Sequence, residues 1–333
     1  MKRLYAAFVC LLCLQLPGHP SEIQAEDNSA RPLTDRTFER TPARLERGRY
    51  LVEGVAQCFH CHSEIDLNAP GAPPLPGKKG SGRATGKEWL VAPNISPDPE
   101  TGAGAWTDDM FARAIREGIG HDGRALLPVM PYREYRVLSD EDLASIVVYV
   151  RSIEPVRHAL PKIQIPERLK NSLTPEPVPA SVPAPDLSDP VQRGAYLVRI
   201  GNCAECHSRK TTDPKNFFQP IPGLEFAGGV VFSVFFKALG GDVASANLTP
   251  DPSGIPYYDE ALFLQAMRTG RVGARKLNPV MPWGYFQNMT DEDLKAIFAY
   301  LRTLKPVKHS VDNTEPPTDC KLCGRKHGGG ERN

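Results

Sequence analysis

Beyond its first sixteen residues the chain lacks an apolar run of membrane-spanning length, which takes about 18 residues. The most apolar later stretch, FAGGVVFSVFFKALGG at 226–241, is broken by glycines and by Lys237. It reads as buried strand and loop packing or as an apolar docking surface for a partner or a bilayer. A charge excess is also missing. The 40 Lys and Arg against 39 Asp and Glu leave a net charge of +1, so nothing in the balance asks for nucleic acid or a strongly anionic surface. Methionine is scarce, six in 333 residues, which makes each position worth following. Proline is the opposite: its 33 residues are close to twice the usual share of roughly 5% and point to irregular chain with at least one stiff linker.

The first 25 residues, MKRLYAAFVCLLCLQLPGHPSEIQA, run from a basic start at Lys2 and Arg3 through an apolar core to breakers. That is the plan of a secretory signal, so residues 1–25 are expected to be removed, with Cys10 and Cys13, and the mature protein to be periplasmic.

Four blocks of sequence occur twice, in the same order. ERGRYLVEGVAQCFHCHS (46–63) matches VQRGAYLVRIGNCAECHS (191–208) with one residue of slippage, and NISPDPETG (94–102) matches NLTPDPSG (247–254). WTDDMFARAIREG (106–118) matches YYDEALFLQAMRTG (257–270), and LPVMPYREYRVLSDEDLASIVVYVRSIEPV (127–156) matches NPVMPWGYFQNMTDEDLKAIFAYLRTLKPV (278–307). A repeat fixes the unit of the fold. The expected architecture is mainly α: two tandem helical domains, 42–156 and 191–308, joined by a Pro-rich linker at 157–190 and followed by a polar tail at 309–333. Proline has no N–H and holds φ near −65°, so the linker is expected to be extended, serving as a spacer or wrapping over one domain.

Each copy reads as helical. Ser139 with Asp142, and Thr290 with Asp293, form a capping-box pattern. Behind the caps, Leu143, Ile146, Val147 and Val150, and likewise Leu294, Ile297, Phe298 and Leu301, fall at helical spacing on one face. An earlier helix leads into the cysteines, with Gly48 and Tyr50, or Gly194 and Tyr196, where a small residue lets two helices approach. A middle helix carries Phe111 and Ile115, or Phe263 and Met267, and stops at Gly118 or Gly270 in left-handed ends.

Cys58, Cys61 and His62, and again Cys203, Cys206 and His207, form Cys-x-x-Cys-His, the spacing of c-type haem attachment. Two cysteines three apart reach both vinyl groups of one haem, and the adjoining histidine ligates the iron. A zinc site, a structural disulfide or a redox dithiol are the alternatives, but none explains a histidine directly after each pair. Two covalently attached haem c groups are therefore expected.

A second axial ligand follows from the repeat. Met110, Met267 and Met289 face ordinary core residues in the other copy, whereas Met130 and Met281 match each other, both in Pro-Val-Met-Pro. Methionine is more often core filler than ligand; the matched placement favours ligation. Iron held by His62 and Met130, or by His207 and Met281, has six ligands, which argues for electron transfer, at a potential raised by Met/His ligation. Trp106, Trp283, Tyr132 and Arg113 are candidates for propionate hydrogen bonds, with packing as the alternative. Asn94 and Asn247 read as turn residues supporting the haem edge.

His60 and its counterpart Glu205 read as solvated. His121, His158 and His309 read as structural, without a matching histidine in the other copy. In the tail, Cys320 and Cys323 have haem spacing but are followed by Gly324; they read as an exposed disulfide or as a weak metal site with His327.

The order Arg-Gly-x-Tyr-Leu-Val, Cys-x-x-Cys-His, Asn-Ile/Leu-Ser/Thr-Pro-Asp-Pro, Met-Pro and Asp-Glu-Asp-Leu resembles the cytochrome c subunits of membrane-bound alcohol, aldehyde and gluconate dehydrogenases, over 46–156 and 191–307. The resemblance implies cytochrome c-like domains, a dehydrogenase as electron donor, and quinone or a further carrier as acceptor. It implies attachment at Cys58, Cys61, Cys203 and Cys206, with His62, Met130, His207 and Met281 as axial ligands. Those subunits commonly carry three haem domains and this chain has two, so the expectation is a soluble or peripherally membrane-associated dihaem carrier that passes electrons to a cytochrome or oxidase. A dihaem redox enzyme, a peroxidase or a thiosulfate-oxidising cytochrome, is the alternative.

Overall fold

The computed structural model describes residues 31–84, 88–170, 173, 178–213, 218–232, 243–273 and 275–311, with the backbone of 318–319 and 326–327. The N-terminal segment with Cys10 and Cys13, residues 233–241 of the apolar stretch, Cys320, Cys323 and the side chain of His327 lie outside the described residues.

Helices dominate, and the strands are two-residue antiparallel pairs. The first half runs α1 (Pro42–Tyr50), a π-helical turn (Leu51–Val55), α2 (Cys58–Cys61), α3 (Asp108–Glu117), α4 (Tyr132–Tyr135) and α5 (Asp140–Val150). After the short α6 (Glu167–Lys170), the second half repeats the order as α7 (Pro190–Ile200), α8 (Cys203–His207), α9 (Glu260–Thr269), α10 (Trp283–Phe286) and α11 (Asp291–Arg302). β1 (Arg83–Ala84) pairs with β2 (Val91–Ala92) in the first half, and β3 (Arg271–Val272) with β4 (Arg275–Lys276) in the second.

In α5 the apolar spacing buries Leu143, Ile146, Val147 and Val150; in α11 it buries Leu294, Ile297 and Leu301 and stacks Phe298 on Phe263. α5 packs on α1 and α11 on α7. Each crossing needs its glycine: a Cβ at Gly48 would lie 2.0 Å from the Ser145 carbonyl oxygen, and one at Gly194 would lie 1.9 Å from that of Ala296. The close approach foreseen at these glycines is therefore present in both halves.

The one-residue slip between the cysteine blocks has a local solution. In the second half Gly201 N donates to Leu197 O at 2.7 Å, an α-helical bond, whereas the equivalent Ala56 N donates to Leu51 O, also at 2.7 Å, across one residue more. The extra residue is absorbed as a single π turn, and both cysteine helices start in equivalent places.

The expected capping boxes form only by half. Ser139 Oγ accepts from Asp142 N at 3.0 Å and Thr290 Oγ1 from Asp293 N at 3.1 Å. The aspartates do not reach back. Asp142 accepts instead from Arg47 at 2.7 Å, and Asp293 from Arg193 at 2.5 Å. The vacant return bond is made by a tyrosine of the opposite half: Tyr196 Oη accepts from Ser139 N and donates to Asp142, while Tyr50 Oη accepts from Thr290 N and donates to Asp293. Burial, reinforced by Asp293, raises the Tyr50 hydroxyl to about 12, so this tyrosine keeps the proton it donates. The exchange is reciprocal, and the two halves meet through an approximate two-fold.

The proline-rich segment lies back on the first half. Gln164 N donates to Glu88 O at 2.9 Å, Asp140 N to Val182 O at 2.8 Å, and Ser181 Oγ to Asp140 at 2.7 Å. Of the two readings, free spacer or wrapping loop, the described part takes the second. Ahead of α1, residues 31–38 strap across α3: Arg31 pairs with Asp109 and Glu117 at 2.9 Å each, and Phe38 N donates to Asp108 at 2.7 Å. Among the described residues no helix is long and apolar enough to cross a membrane.

Candidate haem sites

The chain enters each cysteine helix through a left-handed residue, Gln57 at φ 47° and Asn202 at φ 61°. Cys58, Cys203 and Cys206 are half-buried and Cys61 is exposed; all four are free thiols. Burial pushes the thiols of Cys58, Cys203 and Cys206 up to about 12. Cys206 is raised further by Glu205, by Cys203 and by Cys61 of the other half, so the two cysteine motifs lie near each other across the interface. Among the described residues no three His, Cys, Asp or Glu side chains cluster as a metal site of their own, which leaves a zinc centre without a ligand set there.

The histidines are held identically. His62 Nδ1 lies 2.8 Å from Pro93 O and His207 Nδ1 lies 2.7 Å from Ala246 O. A carbonyl only accepts, so each Nδ1 carries the proton and each Nε2 keeps its lone pair for a metal. The histidine carbonyls are held too, by Gly82 N at 2.9 Å and Gly228 N at 2.8 Å. Burial lowers both imidazoles below their ordinary value and keeps them neutral, the state a metal requires. Free paired thiols beside an imidazole oriented through its other nitrogen form a donor set that fits a covalently held haem.

Asn94 and Asn247 follow the accepting carbonyls directly. Asn94 Oδ1 accepts from Ser96 N at 3.0 Å while its Nδ2 donates to Val156 O at 2.7 Å; Asn247 does the same with Thr249 N at 2.9 Å and Val307 O at 2.8 Å. They are the expected turn residues, and they also tie the histidine's support to the chain leaving the last helix. That chain brings a correction. His158 and His309 do match each other, in PVRH and PVKH. His158 Nδ1 meets Ser81 O at 3.0 Å and His309 Nδ1 meets Ala227 O at 2.8 Å, equivalent carbonyls just before the glycines that hold His62 and His207. The pair is readable two residues past the last repeat block.

Met130 and Met281 are half-buried against the core, as are Cys58 and Cys203. In the first half Tyr135, at the end of the helix that follows Met130, donates to Ala56 O at 3.1 Å, two residues before Cys58, so the methionine loop is tied to the cysteine helix. Phe286 fills the equivalent place in the second half without that bond.

The other polar candidates are engaged in packing. Arg113 donates to Arg31 O and Gly120 O, both at 3.0 Å. The Tyr132 and Trp283 rings lie directly beneath Gly118 and Gly270, whose positive φ of 71° and 63° ends the middle helices. Trp106 stacks on His121 with ring centroids 4.4 Å apart. His60 is not solvated. It is 9% exposed, meets Tyr285 of the other half edge-on at 5.8 Å, and is driven down to about 3 by burial and by Arg83. Glu205 is likewise largely buried, and Lys210 pairs with it at 2.8 Å; the packing of the two halves against each other removes these side chains from water.

Residues 191–305 match the cytochrome c family, which marks that stretch as a cytochrome c domain. The chain is homologous to cytochrome subunits of dehydrogenases. It is 32% identical over 297 residues to a subunit of the nicotinate dehydrogenase of Pseudomonas putida, covering 83% of this chain and 23% of that one. It is 29% identical over 279 residues to the cytochrome c subunit of alcohol dehydrogenase (quinone) of Gluconobacter oxydans, covering 80% of this chain and 55% of the other. A diheme cytochrome c-type protein of Cereibacter sphaeroides is 27% identical over 271 residues, which cover 75% of this chain and 83% of that protein. The chain thus spans about half or less of the first two relatives.

Proposed function

We propose that the chain is a dihaem cytochrome c, exported to the periplasm by its N-terminal segment, that carries single electrons from a dehydrogenase to a downstream respiratory acceptor. In this reading each half, 42–156 and 191–308, is one cytochrome c domain, and 157–190 is the connecting linker. Cys58 and Cys61 would attach the first haem and Cys203 and Cys206 the second; His62 and Met130 would hold the first iron, and His207 and Met281 the second. Bound haem c supplies a one-electron ferric/ferrous couple. The residues do the rest: Pro93 and Ala246 orient the imidazoles through their carbonyls, and the prolines on either side of each methionine stiffen the loop that presents the thioether. A histidine and a methionine on each iron would leave no vacancy for a small-molecule substrate, which is why the reading is a carrier.

The observation that carries this reading is the duplicated cradle: the same histidine nitrogen on the same carbonyl position, beside the same cysteine pair, in both halves. The dehydrogenase donor is supported by the names of the relatives, two of them dehydrogenase subunits. The test is a pyridine haemochrome titration of the purified periplasmic protein, with mass spectrometry of the intact chain. Two haems per chain are expected, falling to one in either the Cys58→Ala/Cys61→Ala or the Cys203→Ala/Cys206→Ala variant. A colourless protein, or five-coordinate iron that binds peroxide and turns it over alone, would overturn it.

A further inference from the structure

The two sites share a cradle but not a charge. Gly82, whose N–H holds the His62 carbonyl, is followed by Arg83; Gly228, which does the same for His207, is followed by Gly229. The register makes the two positions equivalent. Arg83 pairs with Ala92, immediately before Pro93, which holds His62 Nδ1, and Gly229 N donates to Ser245 O at 2.8 Å, immediately before Ala246, which holds His207 Nδ1. Arg83 is thus anchored beside His62 through Gly82 on its own strand and through Ala92 opposite it, and at the same point the second half has no side chain.

Arg83 is half-buried and, among the described residues, its side chain forms neither a hydrogen bond nor an ion pair. Its charge is nevertheless felt by His60, Cys61, His62 and Tyr285. At the matching point of the second half stands Gly229, which carries no charge. The charges nearest in sequence do not cancel the difference. In the first half Glu64 is paired with Lys78 at 2.9 Å, and in the second Glu205 is paired with Lys210. Arg209, two residues past His207, acts on His309.

An uncompensated positive charge beside an iron favours the state with one positive charge fewer, the ferrous one. In a half-buried setting that preference is weakly screened. We propose that Arg83 makes the first-half site the higher-potential one, so that an electron delivered to the second half passes across the interface and rests in the first. With haem bound in both halves, the one electron lost by a ferrous iron held by His207 would be gained by a ferric iron held by His62, and no proton or other reactant would be needed. The short route is in place: Cys206 lies within the field of Cys61, and Tyr285 touches His60. Arg83 acts here as a positioning charge.

This inference rests on the dihaem reading, and the experiment separates the two failures. The haem content of each variant is measured first, and loss of haem from the unmodified protein counts against the reading itself. Spectroelectrochemical titration of the unmodified protein is expected to show two one-electron waves. Met130→His, which moves the first-half wave, is expected to lower the higher of them, and Met281→His the lower. Arg83→Gln is expected to lower the higher wave by roughly 59 mV, a tenfold change in electron partition, with the lower wave unmoved. Arg83→Lys should retain most of the potential, and Gly229→Arg should raise the lower wave. Should Arg83→Gln move both waves equally or neither, or should Met281→His shift the higher wave, the proposal is wrong. If Arg83→Gln does not fold, Gly229→Arg and Arg83→Lys decide it by the same readout.

Discussion

The halves agree where the backbone must hold a histidine and differ where side chains set the surroundings. In both, a carbonyl accepts from Nδ1–H, a glycine N–H donates to the histidine's own carbonyl, and an asparagine ties that loop to the chain leaving the last helix. Around this frame, Arg83 stands against Gly229, His60 against Glu205, and Tyr135 against Phe286. Two copies of one backbone device can therefore place a histidine in unlike electrostatic settings.

The likeness is best attacked at the helix crossings. Gly48→Leu and Gly194→Leu each force a Cβ to within about 2 Å of a carbonyl oxygen, and each is expected to cost about 3 kcal/mol or more, read from denaturant unfolding monitored by circular dichroism. Near-equal losses would mark the crossings as equivalent, and a tolerant position would break the likeness. The reciprocal tyrosines come next. Tyr50→Phe and Tyr196→Phe each remove a donor from a buried aspartate and an acceptor from a cap N–H, at about 2 kcal/mol each. A double-mutant cycle of Tyr50→Phe with Asp293→Asn, matched against Tyr196→Phe with Asp142→Asn, is expected to give similar coupling energies in the two halves.

A smaller effect separates the halves, because the 31–38 strap is seen against α3. Burial opposes ionisation of Asp109, but hydrogen bonds from Arg31 and Thr34 outweigh it and bring the carboxyl down to about 2. A pKa lower in the folded than in the unfolded chain adds stability that is complete above the unfolded value near 4 and disappears as pH falls through about 2. Because Arg31 is a third exposed, the contribution is discounted to about 1 kcal/mol. Asp109→Asn should lower the unfolding midpoint at pH 7 and make no difference near pH 2. The smallest effect is expected from Asn288→Ala, which removes a 2.9 Å bond to Glu53 O at an exposed point of the interface and should cost under about 1 kcal/mol.

How much of this is readable from the chain depends on the range of the interaction. The α5 and α11 faces, the serine and threonine caps, the glycine crossings and the paired methionine loops are legible because each is a pattern within a few residues or a comparison of two copies. The histidine tautomer is not, since Pro93 and Ala246 lie 31 and 39 residues from the histidines they hold. Nor is the fate of the capping boxes: local spacing points Asp142 back to Ser139, and only the arrival of Tyr196 from the other half explains why it turns to Arg47 instead. The burial of His60 escapes a linear reading for the same reason, since its cover, Tyr285, belongs to the other half.

The amino-acid order alone determined that two Cys-x-x-Cys-His motifs and two matched methionines recur in one helical unit, because attachment spacing and repeat order are properties of the linear chain. Only the folded molecule decided that the cysteine motifs lie near each other, that the described part of the proline-rich segment lies on the first half, and that Arg83 stands beside one of the two histidines. Those outcomes depend on contacts between residues far apart in sequence, and a field or an interface exists only once such residues share a place in space.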